Sequence, residues 1–137
     1  MYIIGDFCYK SRYSPDWYLK RLHGRKHLIK GNHDYLILQS ESALKELESI
    51  SQIEQISDGD RKIILCHFPL AEWYGYYRSY WHVYGHIHRG RGDGESGGAK
   101  FICTEDRALN AGCMINNYMP VTFDELIINN QIRNAMP

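Results

Sequence analysis

Four short segments constrain this chain more than any other feature: Gly5-Asp6, Gly31-Asn32-His33-Asp34, Cys66-His67 and Gly85-His86-Ile87-His88. They set carboxylate, amide and imidazole side chains beside glycine turns, mostly just after β-like runs. Strand ends of this kind let distant segments converge on one crevice, as ligands of open α/β sheets do. Taken singly, each segment has an ordinary reading. Gly5-Asp6 is a strand-end turn, Asn32 a turn former, His67 a hydrogen-bonded structural histidine, and His86 with His88 one face of an exposed strand. Taken together they read as a metallo-hydrolase, because mixed oxygen and nitrogen donors suit a divalent transition metal.

In this order the segments resemble the calcineurin-like metallophosphoesterase superfamily, in particular its small bacterial and phage members. That pattern runs D-x-H, G-D, G-N-H-[DE], a lone H, and G-H-x-H. Here the chain opens at Met1-Tyr2-Ile3-Ile4 with no D-x-H before Gly5-Asp6. The resemblance implies that Asp6, Asn32, His67 and His86 form a complete set for the second of two metals. The first metal would keep Asp6 as the bridging ligand together with His88. It further implies His33 as general acid on the leaving-group side, with Asp34 orienting its imidazole. The metals would be Mn²⁺, Zn²⁺ or Fe²⁺, one or two per chain, and the substrate a small phosphate ester or nucleotide.

The residue types fit such a reaction independently. Hydrolysing a phosphate ester requires neutralising the phosphoryl oxygens and making a nucleophile from water near neutral pH, and metal ions do both. Asp6 can bridge two ions, the imidazoles are neutral ligands, and Asn32 adds an oxygen without adding charge. Histidine as a residue type, with an ordinary pKa near neutrality, suits proton transfer. The activity expected is a phosphomonoesterase or phosphodiesterase, impaired by the absent first-metal pair. The alternative is a degenerate relative that binds metal or nucleotide without catalysis.

Between His67 and the histidine pair runs Trp73-Tyr74-Gly75-Tyr76-Tyr77-Arg78-Ser79-Tyr80-Trp81. One reading makes it an aromatic wall with Arg78 as a phosphate clamp; the other makes it a packed loop over a sheet edge. Arg89 and Arg91, in the glycine-rich stretch from Arg89 to Gly98, are weaker phosphate candidates. His23, His27 and His82 are not expected to be ligands.

At 137 residues, with 44% hydrophobic content, residues 1–137 are expected to form one domain with one core. Sixteen Lys and Arg balance sixteen Asp and Glu, so there is no strong nucleic-acid signal in the overall charge, though a local basic patch is compatible with it. No run approaches the roughly 20 apolar residues of a membrane helix. Cys8, Cys66, Cys103 and Cys113 are widely spaced and no signal peptide is expected before them, which fits a reducing cytoplasm; Cys66 is expected to point away from His67 and stay buried.

Strands are expected over Met1 to Ile4, Lys26 to Ile29, Ile50 to Ile56, Arg61 to Cys66, Trp81 to Tyr84, Phe101 to Cys103 and Ala108 to Cys113. Helices are expected from Pro15 to about Leu22, over Ser42 to Leu47, and from Thr122, which opens a capping box with Glu125, to about Asn130. The pattern is α/β, and the resemblance implies two sheets packed face to face with helices outside. The absent D-x-H segment would correspond to a strand and a crossover helix, leaving an edge that favours a homo-oligomer.

Overall fold

The structure, a computed structural model, describes residues 1–88 and 101–134. Arg89, Arg91 and the glycine-rich stretch lie outside them. The chain is a mixed α/β fold with two sheets. Strands β1 (Tyr2–Ile3), β2 (His27–Ile29) and β3 (Ser49–Ser51) run parallel in the order β1-β2-β3. Strands β4 (Ile53–Asp58), β5 (Arg61–Cys66), β6 (Trp81–Tyr84) and β7 (Ala108–Asn110) form the second sheet in sequence order. Its β4–β5 pair is antiparallel and the others parallel. Four α-helices lie wholly within the described residues: α1 (Pro15–Leu19), α2 (Tyr35–Leu38), α3 (Glu41–Leu44) and α4 (Phe123–Asn134).

Strand parity explains how the layers form, because adjacent side chains on a strand face opposite ways. On β2, Leu28 joins Leu19, Ile37 and Ala43 of α1 to α3, whereas Ile29 joins Ile63, Leu65, Val83 and Leu109 of the second sheet. On β5, Ile63 and Leu65 face that shared cluster while Ile64 packs with Trp73, Tyr84 and Ile102 on the opposite side. A strand buried on both faces needs the unbroken apolar run that Ile63-Ile64-Leu65 supplies.

Several expected boundaries move. The stretch Ile50 to Ile56 is not one strand: the chain leaves the first sheet at Ser51, whose carbonyl accepts from Lys30 N at 2.8 Å, and enters the second at Ile53. Periodicity cannot register such a change of sheet. Residues 101–102 are helical rather than extended, with Ile102 buried against Trp73 and Tyr84. Strand β7 stops at Asn110, because the Asn110 side chain takes the Gly112 N–H at 2.8 Å and turns the backbone. The first helix ends at Leu19, and the expected 42–47 helix is α3, capped by Ser40 accepting from Ala43 N at 3.2 Å. The capping box forms as expected, with Thr122 N donating to Glu125 Oε2 at 2.7 Å and Glu125 N to Thr122 Oγ1 at 3.3 Å, and α4 continues to Asn134.

Candidate metal centre

The four segments lie just beyond the carboxyl ends of β1, β2, β5 and β6, and there they meet. His67 is buried. Its Nδ1 donates to the Ile4 carbonyl at 2.8 Å, which leaves the Nε2 lone pair facing Asn32 Oδ1 at 3.1 Å and Asp6 Oδ2 at 3.3 Å. Fixing one imidazole nitrogen as donor in this way presents the other as a ligand. His86 Nδ1 lies 3.0 Å from the same Asn32 oxygen. Donor atoms of Asp6, His67 and His86 fall within 4.8 Å of one another. A carboxylate, an amide oxygen and two imidazole nitrogens thus gather within hydrogen-bonding reach of one another, and with those ring nitrogens unprotonated all four would offer lone pairs to a cation. The group could hold a metal ion.

The backbone is shaped around this cluster. Asp6 and His86 both adopt left-handed conformations, at φ 52° and 63°, which cost non-glycine residues of order 1–3 kcal/mol and concentrate at functional sites. A methyl group on Gly31 would sit on the Asp6 carboxylate and 2.6 Å from Asp6 N; one on Gly85 would lie 2.8 Å from the Ile4 carbonyl. Gly5, at φ 78°, would put its methyl against the His67 ring. These glycines let three loops close on the two histidines without side chains between them. Desolvation, then neighbouring His67, holds the imidazole of the exposed His86 below its usual pKa, which favours its neutral form.

Asp34, expected to orient the His33 ring, is buried with a different set of partners. Its Oδ1 accepts from Phe7 N at 2.9 Å, and its Oδ2 from Asp6 N at 3.0 Å and Gly31 N at 2.7 Å. Asp34 therefore ties the Asp6 loop to the Gly31 loop, while Asp6 Oδ1 answers by accepting from His33 N at 2.8 Å. The ring of His33 is instead stacked on Tyr9, with centroids 3.9 Å apart and planes 21° from parallel. A cleft of about 410 Å³ beside the cluster is lined by Asp6, Phe7, Cys8, Tyr9, Ser11, His33 and His88. His88 is exposed and lies outside the Asp6, His67 and His86 group.

Arg78 is exposed at the end of a 3₁₀ turn, Tyr76–Arg78, bracketed by left-handed Gly75 and Ser79. It is not among the residues lining the cleft. The aromatic loop around it is packed through Trp73, which is buried and donates its indole N–H to the Tyr80 carbonyl at 3.0 Å. His82 is fully buried and engaged elsewhere, by the Ile64 carbonyl and Leu70 N. His27, half-buried, stacks on Tyr2 and bonds Ser49. Burial raises the pKa of the Cys8 and Cys66 thiols, so neither is poised as a thiolate ligand.

Two contributing residues were not singled out from the sequence. Tyr9 covers the His33 ring. Asn110 is completely buried and donates to the Ile87 carbonyl at 3.0 Å, between the two histidines of the last segment. A signal for Asn110 exists in the small residues that follow it, Ala111-Gly112, which mark a turn rather than a continuing strand.

Among solved structures, the chain is similar to a protein of unknown function, AQ665, from Aquifex aeolicus, with a TM-score of 0.61 and 24% identity over 91% of this chain and 73% of that one. That likeness concerns the fold. No protein-family model and no curated protein matches the chain.

Proposed function

We propose that this chain is a metal-dependent phosphoesterase of the calcineurin-like type, its two sheets stacked as the inner layers of a sandwich. The observation that carries the reading is the placement of Asn32 Oδ1 within 3.1 Å of His67 Nε2 and 3.0 Å of His86 Nδ1, with Asp6 Oδ2 closing the set. Asp6, Asn32, His67 and His86 would hold a divalent ion, with His88 and Asp6 facing a second. Such an ion would neutralise phosphoryl oxygens and favour deprotonation of an attacking water. His33, at the cleft wall, would give a proton to the leaving oxygen. Asp34 acts one step away, keeping the Asp6 and Gly31 loops in register. The phosphate ester would sit in the cleft between Tyr9 and the metal cluster.

A second reading, a metal-binding protein without catalysis, is favoured by His88 standing exposed on the cleft wall, outside the Asp6, His67 and His86 donor group. One experiment separates the two. Purified protein is loaded with Mn²⁺ and given an activated aryl phosphodiester and the corresponding monoester. Slow turnover that requires metal and disappears in both His67→Ala and His33→Ala supports the phosphoesterase. Stoichiometric metal without turnover leaves the binding protein, and absence of metal binding removes both.

A further inference from the structure

The segment from Tyr9 to Arg21 carries cations and aromatics in alternation, and the metal centre uses none of them beyond Tyr9. Lys10 Nζ lies 5.1 Å from the Tyr9 ring centroid, and Arg12 Cζ lies 5.3 Å from that of Tyr13. Tyr13 is stacked on Trp17, with centroids 4.1 Å apart at 15°, and Arg21 also lies over Trp17, with Cζ 3.5 Å from its centroid. Cation–π pairs of this kind occur about once per 70–80 residues, so three within so short a segment call for a cause. A loop that used them only to hold itself together would bury them. Instead Tyr9 and Tyr13 are 41% and 42% exposed, and Lys10, Arg12 and Arg21 are exposed as well.

The charge is local too. Lys10, Arg12, Lys20 and Arg21 face one carboxylate, Asp16, which is already bonded to Lys20 and Ser14. The strip begins at the cleft wall, where Tyr9 and Ser11 line the same space as Asp6 and His33, and continues onto α1. Exposed rings that can meet a flat base, interleaved with cations that can meet phosphates, are the recognition chemistry of single-stranded nucleic acid.

We infer that the Tyr9–Arg21 strip binds single-stranded nucleic acid and leads it to the metal cleft, making an oligonucleotide phosphodiester the substrate class of the proposed phosphoesterase. The inference about substrate rests on that reading, whereas binding to the strip does not. Bases stack on the faces of Tyr13 and Tyr9 that Trp17 and His33 leave uncovered, displacing the flexible Arg12 and Lys10 side chains onto phosphates, which Arg21 also meets.

The test is fluorescence anisotropy with a labelled twelve-nucleotide oligothymidylate, in EDTA so that no hydrolysis intervenes. Wild-type protein should bind, and more weakly as salt rises. Tyr13→Ala should weaken binding about tenfold, in line with the loss of one stacked base. Arg12→Gln with Arg21→Gln, exposed changes that leave the circular dichroism spectrum intact, should flatten the salt dependence. Tyr77→Ala, an exposed tyrosine outside the strip, should bind as wild type does. Absence of binding at 50 mM salt, equal affinity for the arginine variant, or equal affinity for duplex DNA would overturn the inference. Oligonucleotide binding without hydrolysis of the aryl phosphodiester would sink the phosphoesterase and spare the strip. Hydrolysis without oligonucleotide binding would do the reverse.

Discussion

His67 has both ring nitrogens committed, one to the Ile4 carbonyl and one to the oxygens of Asn32 and Asp6, so it should be the least replaceable residue of the centre. His67→Ala is expected to reduce bound metal, measured by elemental analysis after dialysis, to background. His82→Ala should retain its metal, since its ring is engaged by Ile64 and Leu70; equal loss in both variants would refute the ligand assignment. His82 carries a separate prediction. Its Nδ1 donates to a carbonyl and its Nε2 accepts an N–H, so the folded protein requires the neutral imidazole, and burial holds its pKa below the usual value. Above the unfolded pKa of about 6.5 neither state is protonated there and no pH dependence arises. As pH falls below it, the unfolded chain takes up a proton that the folded chain resists, so stability is lost downward from that point. Urea midpoints at pH 7.5 and 5.5 should therefore differ more in the wild type than in His82→Gln, and identical differences would show that this histidine is not the source.

At the scale of elements, the loops beyond the strands depend on features that look structural but serve the centre. Gly31→Ala should fold, since Gly31 lies outside β2, yet its added methyl would meet Asp6 N at 2.6 Å. Calorimetric titration should find metal affinity reduced at least as far as in an outer-shell variant, 10- to 100-fold, and unchanged affinity would mean that the loops are looser than the geometry implies. The union of β7 with α4 rests on a buried pair. Asn110 N donates to Asn130 Oδ1 at 2.8 Å, and Asn130 Nδ2 donates to the Asn110 carbonyl at 3.0 Å and to Leu126 O at 2.9 Å. Asn130→Ala leaves a buried N–H and carbonyl unpaired, at a cost of roughly 2–4 kcal/mol, which urea unfolding with an unchanged m-value should register. The same Asn110 steadies the Ile87 carbonyl, so that variant should lose metal affinity as well as stability. Loss of stability alone would show that β7 does not support the histidine loop.

For the whole molecule, the candidate centre draws its donor side chains from both sheets: Asp6 and Asn32 follow strands of the first, His67 and His86 strands of the second. A metal ion that binds only the folded chain should lock the sheets together, adding about 2.7 kcal/mol at a free concentration one hundred times its Kd. The thermal midpoint should therefore rise on addition of Mn²⁺ or Zn²⁺ and fall back with EDTA, and His67→Ala should show neither change. A rise of equal size in that variant would place the ion elsewhere. Among the described residues no helix is long and apolar enough to cross a membrane.

Much of this was legible in the order of residues. The alternation of strands with helices, the strand ends at Gly5, Gly31, His67 and Gly85, and the capping box at Thr122 all follow from local chemistry: apolar runs, glycine turns and a side chain within reach of its own backbone. The strand-end placement of Asp6, Asn32, His67 and His86 allowed their convergence, and the resemblance named them as one set, because spacing along a chain does not say which strands become neighbours. Tertiary structure alone decided the change of sheet between Ser51 and Ile53, the engagement of Asp34 by three backbone N–H groups, the stacking of Tyr9 on His33 and which residues line the cleft. Each of these depends on which surfaces a segment meets after the sheets have packed, and partners drawn from distant parts of the chain leave no periodic trace in the sequence.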